Sequence, residues 1–167
     1  MSIDIAVFEA IHGLARQSSW LDFLAVFFAK YLAYFLLLAF ILYLLLERKW
    51  KSRFYNFALA ALSIILARGL ITELIRLIYY KPRPGLVLSI ETLIATPNVS
   101  SFPSGHAAVF FALALASYYV NKQLGLWFLI GAGLISLSRG FAGVHWPADI
   151  IAGALVGIVS AVFARKL

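Results

Sequence analysis

Residues 102–108 read Phe102-Pro103-Ser104-Gly105-His106-Ala107-Ala108, and an apolar run follows directly from Val109. Ser104 is a favourable N-cap, and glycine at position 105 lets the backbone approach a ligand closely. The first N–H groups of a helix lack intrahelical partners and favour an anion, and His106 falls in that first turn. The stretch predicts a helix start able to bind an anion, and an ordinary loop-to-helix junction is the alternative.

The composition places the chain in a membrane. Of the 167 residues, 63% are hydrophobic and 13% are charged, with a mean hydropathy of +0.95. Soluble domains have about 45–50% apolar and about 25% charged residues. No polar stretch is long enough for a soluble domain, so we expect residues 1–167 to form a single membrane-embedded domain. Asp4 and Glu9 interrupt the N-terminal stretch, so we expect no cleavable signal.

The hydropathy pattern predicts an all-α integral membrane protein. A short amphipathic helix over 3–17 is expected to lie in the membrane interface, with Ile3, Val7, Ile11 and Leu14 on one face and Glu9, His12 and Arg16 on the other. Because a bilayer crossing needs about 17–25 residues, five spans are predicted. They lie near 20–46, 54–80, 104–121, 124–140 and 147–165.

The tryptophans and the small residues add detail to the predicted bundle. The four tryptophans fall near the ends of spans, as expected for an interfacial belt: Trp20, Trp50, Trp127 and Trp146. Small residues recur every four positions on the last span, at Gly153, Gly157 and Ala161. We interpret them as a tight contact inside the bundle, with a homodimer face as the alternative.

The basic residues predict the orientation. One side of the membrane collects Arg48, Lys49, Lys51, Arg53, Lys122, Arg165 and Lys166. The short basic turn 47–53 makes this side cytoplasmic, so the N-terminus, the loop 81–103 and the turn 140–146 face outward. The net charge of +7 is then explained by topology, and no nucleic-acid partner is expected.

Three polar elements are predicted to emerge together on the outer side. The first is Arg76-Leu77-Ile78-Tyr79-Tyr80-Lys81-Pro82-Arg83-Pro84, where prolines end a helix and up to three cations gather. Lys81 alone would also suit anchoring to lipid headgroups. Arg76 lies inside the apolar segment, where charge is costly, and Glu73 is a candidate partner one turn earlier.

The second element is the helix start at Ser104–His106, and the third is the stretch 138–149. In the third, Pro147 suits the first turn of a helix. His145 and Asp149 are four residues apart, so the carboxylate can hold one ring nitrogen and leave the other nucleophilic. For this pair alone, a structural hydrogen bond is the alternative.

Together these elements suit phosphoryl transfer, which needs cations around the phosphate oxygens and an acid for the leaving oxygen. A metal site is disfavoured because the arginines would repel a dication and no second carboxylate is predicted nearby. We therefore expect no metal and no other cofactor.

These motifs resemble the signatures of the type 2 phosphatidic acid phosphatase superfamily. Pro103-Ser104-Gly105-His106 resembles the second signature and Ser138-Arg139-x5-His145-x3-Asp149 the third. Arg76-x6-Arg83-Pro84 resembles the first, in which the family usually has lysine at the position of Arg76. Residues 10–15 and 21–22, with the compact length, are similar to bacterial undecaprenyl-diphosphatases.

The resemblance implies a role for each matching residue. His145 would attack phosphorus and form a phosphohistidine, Asp149 would orient it, and His106 would protonate the leaving oxygen. Arg76, Arg83, Ser104, Gly105 and Arg139 would hold the phosphoryl oxygens, with Lys81 and Ser138 as additional candidates. The expected partners are membrane lipids and a lipid phosphate substrate.

The implied function is a multi-pass phosphatase of the bacterial inner membrane with its active site on the outer face. Undecaprenyl diphosphate is the expected substrate, and phosphatidylglycerol phosphate, phosphatidic acid or a lipid A phosphate are alternatives. An ion-conducting protein and a catalytically inactive scaffold are the competing classes.

Some residues keep open roles. The loop 86–99 would either gate the site or connect two spans. Lys30 and Glu73 are expected at similar depth and form a candidate interhelical pair, whereas Arg68 has no predicted carboxylate partner. His12 is expected to be interfacial and not catalytic.

Overall fold

The computed structural model describes residues 3–95 and 99–167, and within these residues all regular secondary structure is helical. We number the helices in chain order: α1 Ile3–His12, α2 Ser19–Leu46, α3 Trp50–Ile78, α4 Pro84–Val87, α5 Gly105–Val120, α6 Lys122–Phe141 and α7 Pro147–Ala164. The all-helical membrane bundle expected from hydropathy is therefore confirmed.

Four helices, α2, α3, α6 and α7, are long and apolar enough to cross a bilayer. The fifth predicted span is α5, which has 16 residues and at 1.5 Å per residue extends about 24 Å. This helix packs against α3, α6 and α7 and has buried residues around much of its circumference. Helix α5 is therefore the central element, and the site lies at its N-terminal end.

The small-residue stripe of α7 packs against α5. A Cβ at Gly153 would lie 2.4 Å from the Ser104 carbonyl oxygen, and one at Gly157 would lie 2.4 Å from the Ala108 carbonyl oxygen. Glycine thus lets the two backbones touch, which confirms the contact inside the bundle.

Helix α1 differs from its prediction. It ends at His12 rather than near residue 17, and a line of residues at i, i+4 and i+8 packs on the protein, namely Asp4, Phe8 and His12. His12 Nδ1 is 2.8 Å from the Phe141 carbonyl oxygen, and Phe8 is 1% exposed. The helix is therefore fastened to the protein partly by polar contacts, and its place in the membrane interface stays a prediction.

Helices α2 and α3 each contain a π-helical turn, Phe27–Tyr31 and Ile65–Ile71. In a π-helix, residues five apart lie above one another. Arg68 accordingly forms an ion pair with Glu73, which also lies 3.5 Å from the Arg76 guanidinium. The sequence indicated no carboxylate partner for Arg68, and the structure provides Glu73. Glu73 pairs with these two arginines rather than with Lys30.

Three of the four tryptophans are exposed, as an interfacial belt requires: Trp20, Trp50 and Trp127. Trp146 departs from the prediction because it is 4% exposed. Its ring packs against Phe8, and its indole N–H donates to the Pro82 carbonyl oxygen over 2.9 Å. Trp146 is thus part of the packing around the site.

Candidate active site

The three predicted polar elements meet at one end of the bundle. The Ser101 N–H donates to the Lys81 carbonyl oxygen over 2.8 Å, and the Ser104 N–H donates to the Asp149 carbonyl oxygen over 2.9 Å. These backbone hydrogen bonds tie the end of α3, the start of α5 and the start of α7 together. Residues distant in sequence thereby form one site.

A tight turn between α6 and α7 places His145. Gly143 has a φ of +82°, a left-handed conformation that favours glycine. A Cβ at this position would also lie 3.0 Å from the His12 ring. Pro147 then begins α7, as predicted, and fixes the direction in which the chain leaves the turn.

His145 and Asp149 are linked through a serine. His145 Nδ1 is 3.6 Å from Asp149 Oδ2, and the Ser101 hydroxyl lies between them, 3.4 Å from Nδ1. Ser101 donates its own hydrogen bond to Asp149 Oδ2. The ring N–H at Nδ1 therefore points toward this serine and carboxylate, which fixes the orientation of the imidazole.

The second ring nitrogen faces an arginine. Arg83 Nη1 is 3.5 Å from His145 Nε2 and 2.9 Å from the Val144 carbonyl oxygen. A guanidinium has donors and no acceptor, so Nε2 must present its lone pair. That lone pair is the nucleophile a histidine needs for attack on phosphorus.

The surroundings keep His145 uncharged. Burial is the largest cause, and the positive charges of Arg139 and Arg83 act in the same direction, against the opposing effect of Asp149. Together they lower the pKa of His145 to about 4. The imidazole is therefore neutral, and able to attack, throughout the physiological range.

Asp149 is fully buried and fully hydrogen-bonded. Its Oδ2 also accepts from the Trp146 N–H over 3.0 Å, and its Oδ1 accepts from Lys81 Nζ over 2.9 Å. Lys81 Nζ lies the same 2.9 Å from Asp4 Oδ2. Burial alone would lower the pKa of Lys81, but these two carboxylates outweigh burial and raise it. The ammonium therefore supports Asp149 rather than anchoring a headgroup.

The predicted phosphate ligands carry unused donors. Among the described residues, no partner is found for the buried Nε atoms of Arg76, Arg83 and Arg139 or for the hydroxyl of Ser104. Such atoms are costly to bury unless an acceptor binds them. A phosphoryl group has the oxygen acceptors that would satisfy these donors.

Gly105 and Ser138 are both buried. A Cβ at Gly105 would lie 2.7 Å from Arg68 Nε, so glycine at this position allows the Arg68 side chain to cross the start of α5. Ser138 precedes Arg139 in the last turn of α6. The helical geometry of that turn sets the position of Arg139.

His106 lies in the first turn of α5 and lines a cavity of about 500 Å³. Arg139 lines the same cavity, and residues 93–95 of the loop form part of its wall. The loop therefore contributes to the site's surroundings, while its residues 96–98 lie outside the described part of the chain.

Sequence reasoning missed Ser101, Asp4 and Trp146. Ser101 stands in a loop with several serines, and nothing in their spacing distinguishes the one that reaches His145. Asp4 was assigned to an interfacial helix, and its carboxylate contacts Lys81 only because α1 folds back over the turn before α7.

A cluster of three or more histidine, cysteine, aspartate or glutamate side chains suitable for a metal ion is not found in residues 3–95 and 99–167. The positive groups of the site instead match an anionic ligand.

The chain is similar in sequence and in fold to known proteins. Residues 57–167 match the model of the PAP2 superfamily. The undecaprenyl-diphosphatase BcrC of Bacillus subtilis strain 168 is 35% identical over 92% of this chain and 78% of its own length. The bacitracin transport permease protein BcrC of Bacillus licheniformis is 31% identical over 96% of this chain and 78% of its own.

The fold is also similar to a solved structure. The crystal structure of Aquifex aeolicus LpxE superposes with a TM-score of 0.82 at 25% sequence identity. The superposition covers 100% of this chain and 97% of the Aquifex protein, so the likeness extends over the whole bundle.

Proposed function

Because this chain belongs to the PAP2 superfamily, we propose that it is a metal-independent lipid phosphatase that converts undecaprenyl diphosphate to undecaprenyl phosphate. One observation carries the proposal: buried arginine nitrogens without acceptors lie around a neutral histidine whose Nε2 carries the lone pair and faces Arg83. This combination provides a phosphate-binding pocket and a nucleophile in one place.

In the first step, His145 Nε2 attacks the terminal phosphorus while the bond from phosphorus to the bridging oxygen breaks. The bridging oxygen stays on the lipid phosphate and takes a proton from His106. The Nδ1 proton stays directed at Ser101 and Asp149, which stabilise the positive charge that develops on the ring.

The arginines act on the transferring group. Arg76, Arg83 and Arg139 offer donors to the equatorial oxygens, where charge accumulates in the transition state. The Ser104 hydroxyl and the N-terminus of α5 add neutral donors on the same side. Since all of these groups are already in place, little reorganisation is needed during the reaction.

In the second step, water attacks phosphorus and His106 takes a proton from it. The bond between phosphorus and Nε2 breaks, and its electrons return to the imidazole. Inorganic phosphate leaves, and the histidine is regenerated in its neutral form.

The substrate assignment rests on the similarity to the B. subtilis undecaprenyl-diphosphatase over most of both chains. For the location, we propose the bacterial inner membrane with the site facing outward, because the basic turn 47–53 lies at the opposite end of α3 from the site.

The test is phosphate release by purified protein in detergent with excess EDTA. Undecaprenyl diphosphate, phosphatidylglycerol phosphate and phosphatidic acid are offered in parallel, and His145→Ala is the matched control. We expect release that is fastest from undecaprenyl diphosphate, persists under chelation and falls by at least about 10³-fold in the variant.

Three outcomes would contradict parts of the proposal. Release abolished by EDTA and restored by a divalent cation would contradict metal independence, and a preference for another lipid would contradict the substrate. No release from any lipid would contradict hydrolysis itself and would favour the transport class named for the B. licheniformis relative or an inactive scaffold.

A further inference from the structure

The cavity beside His106 has an intramembrane cation in its wall. It lies between α2 and residues 93–95, and its lining includes Lys30 and Tyr34 from α2 as well as His106 and Arg139. Lys30 belongs to the π-helical turn of α2. Such turns occur frequently at functional sites, because they change which side chains face inward.

Lys30 has no carboxylate within ion-pair distance among the described residues. The contact found for its ammonium is with the ring of Tyr31, 5.3 Å away. Two other basic side chains of the apolar segments on this side, Arg68 and Arg76, both meet Glu73, whereas Arg139 in the last turn of α6 has no ion pair among the described residues. A charged side chain within a membrane span is costly and marks a functional position.

The backbone beside Lys30 is fixed to the active site. Arg139 Nη1 donates to the Ala29 carbonyl oxygen over 3.3 Å, and this is the residue immediately before Lys30. One arginine therefore contacts the π-helical turn and also lines the cavity together with His106. The backbone next to Lys30 is thus hydrogen-bonded to a residue of the site.

The direction of the reaction identifies what enters the cavity. In phosphoryl transfer the nucleophile and the leaving oxygen lie roughly in line on opposite sides of phosphorus. If His145 attacks, the leaving group lies on the side of His106 and its cavity. For a lipid diphosphate, that leaving group is a second phosphate carrying negative charge, whereas a lipid monophosphate places an uncharged alcohol there.

We infer that this cavity is the subsite for the second, lipid-attached phosphate of a lipid diphosphate, and that Lys30 is the residue that selects for it. The inference rests on the proposed function and adds the determinant of its specificity. Lys30 supplies a charge-assisted contact that only the diphosphate can use. The apolar lining from α2 and residues 93–95 receives the start of the lipid chain.

The test compares two lipids that differ by a single phosphate, farnesyl diphosphate and farnesyl monophosphate. Their dissociation constants are measured by calorimetry in detergent on the His145→Ala protein, with and without Lys30→Met. We expect Lys30→Met to weaken binding of the diphosphate by at least about tenfold and binding of the monophosphate by less than about twofold. In protein with His145 intact, kcat/KM for farnesyl diphosphate should fall by a similar factor.

Two matched variants separate charge from structure. Lys30→Arg should keep the preference for the diphosphate, and Lys122→Met, the same change at the opposite end of the bundle, should leave both dissociation constants unchanged. The inference would be overturned if Lys30→Met weakened binding of the two lipids equally or did not weaken it. It would also be overturned if neither lipid bound. Phosphate release distinguishes failure of the proposed function from failure of this inference. If protein with His145 and Lys30 intact releases no phosphate, the proposed function fails. The ratio of the two dissociation constants still decides the role of Lys30.

Discussion

At the scale of single residues, the site depends on the hydrogen bonds that Asp149 accepts. One oxygen accepts from the Trp146 N–H at the start of α7 and from Ser101, and the other accepts from Lys81. A buried carboxylate is costly without such partners. The same carboxylate therefore stabilises the helix start and orients the His145 ring.

Ser101→Ala should lower kcat by roughly five- to tenfold and leave KM nearly unchanged, because one hydrogen bond of about 1 kcal/mol that orients His145 is lost. Steady-state phosphate release measures both constants. Ser100→Ala is the matched control, since the Ser100 hydroxyl contacts backbone atoms of Tyr79, Lys81 and Phe102 and not His145. An equal fall in kcat for both variants would show that Ser101 acts only through the loop structure.

The neutral state of His145 gives a second prediction. Since its pKa is lowered to about 4, the ring should gain a proton, and lose its capacity to attack phosphorus, as the pH falls through about 4. The chain has three histidines, so NMR titration of ¹³C-histidine protein resolves them, with His145→Ala to assign the signal. A midpoint near 6.5 would contradict the buried, arginine-flanked environment.

At the scale of single residues, part of the candidate site could be predicted from the sequence. The spacing of His145 and Asp149 predicted their proximity because both flank the first turn of one helix. Ser101 was not predictable, since its contact with His145 joins positions 44 apart and depends on how the loop before α5 packs.

At the scale of elements, the glycine stripe of α7 sets the position of the site. Gly153 and Gly157 allow α7 to touch α5, and the starts of these two helices carry Asp149 and His106. The distance between the two helices thus influences the distance between the proposed acid and the groups that orient the nucleophile.

Gly157→Ala should destabilise the bundle by about 1–3 kcal/mol, because its Cβ would lie 2.4 Å from the Ala108 carbonyl oxygen and 2.8 Å from the Ala112 nitrogen. Gly133→Ala is the matched control in the middle of α6, where nothing lies within 4 Å of the added carbon. This control should be neutral or slightly stabilising. Thermal unfolding in detergent compares the two, and equal midpoints would contradict the tight contact.

Hydropathy predicted the spans well because each must match the bilayer, but it did not predict the π-helical turns. The Arg68–Glu73 pair joins residues five apart at such a turn, a spacing that α-helical periodicity does not predict. Periodicity also did not show how α1 packs. In a membrane protein the polar side chains Asp4 and His12 can face the protein while apolar Ile3 faces outward.

At the scale of the whole molecule, all three site elements lie at one end of the bundle and the basic turn between α2 and α3 lies at the other. This asymmetry predicts an outward-facing site. Because the chain lacks cysteine, single cysteines report the orientation without background labelling.

Glu91→Cys should react with a membrane-impermeant maleimide in intact cells, and Lys49→Cys should react only after the membrane is opened. Both positions are exposed, and the Glu91 side chain is 80% accessible. Its ion pair with Arg16 is at the surface, so the change should affect stability little. Labelling in the reverse pattern would place the site on the cytoplasmic side.

The proposed phosphohistidine on His145 can be trapped. Protein is mixed with undecaprenyl diphosphate labelled with ³²P in the terminal phosphate, quenched in alkali within milliseconds, and digested for mass spectrometry. We expect acid-labile label on the peptide containing His145 and no label in His145→Ala. In His106→Ala the label should accumulate if hydrolysis of the intermediate slows more than its formation. Turnover without protein-bound label, or label on another residue, would contradict a phosphohistidine at His145.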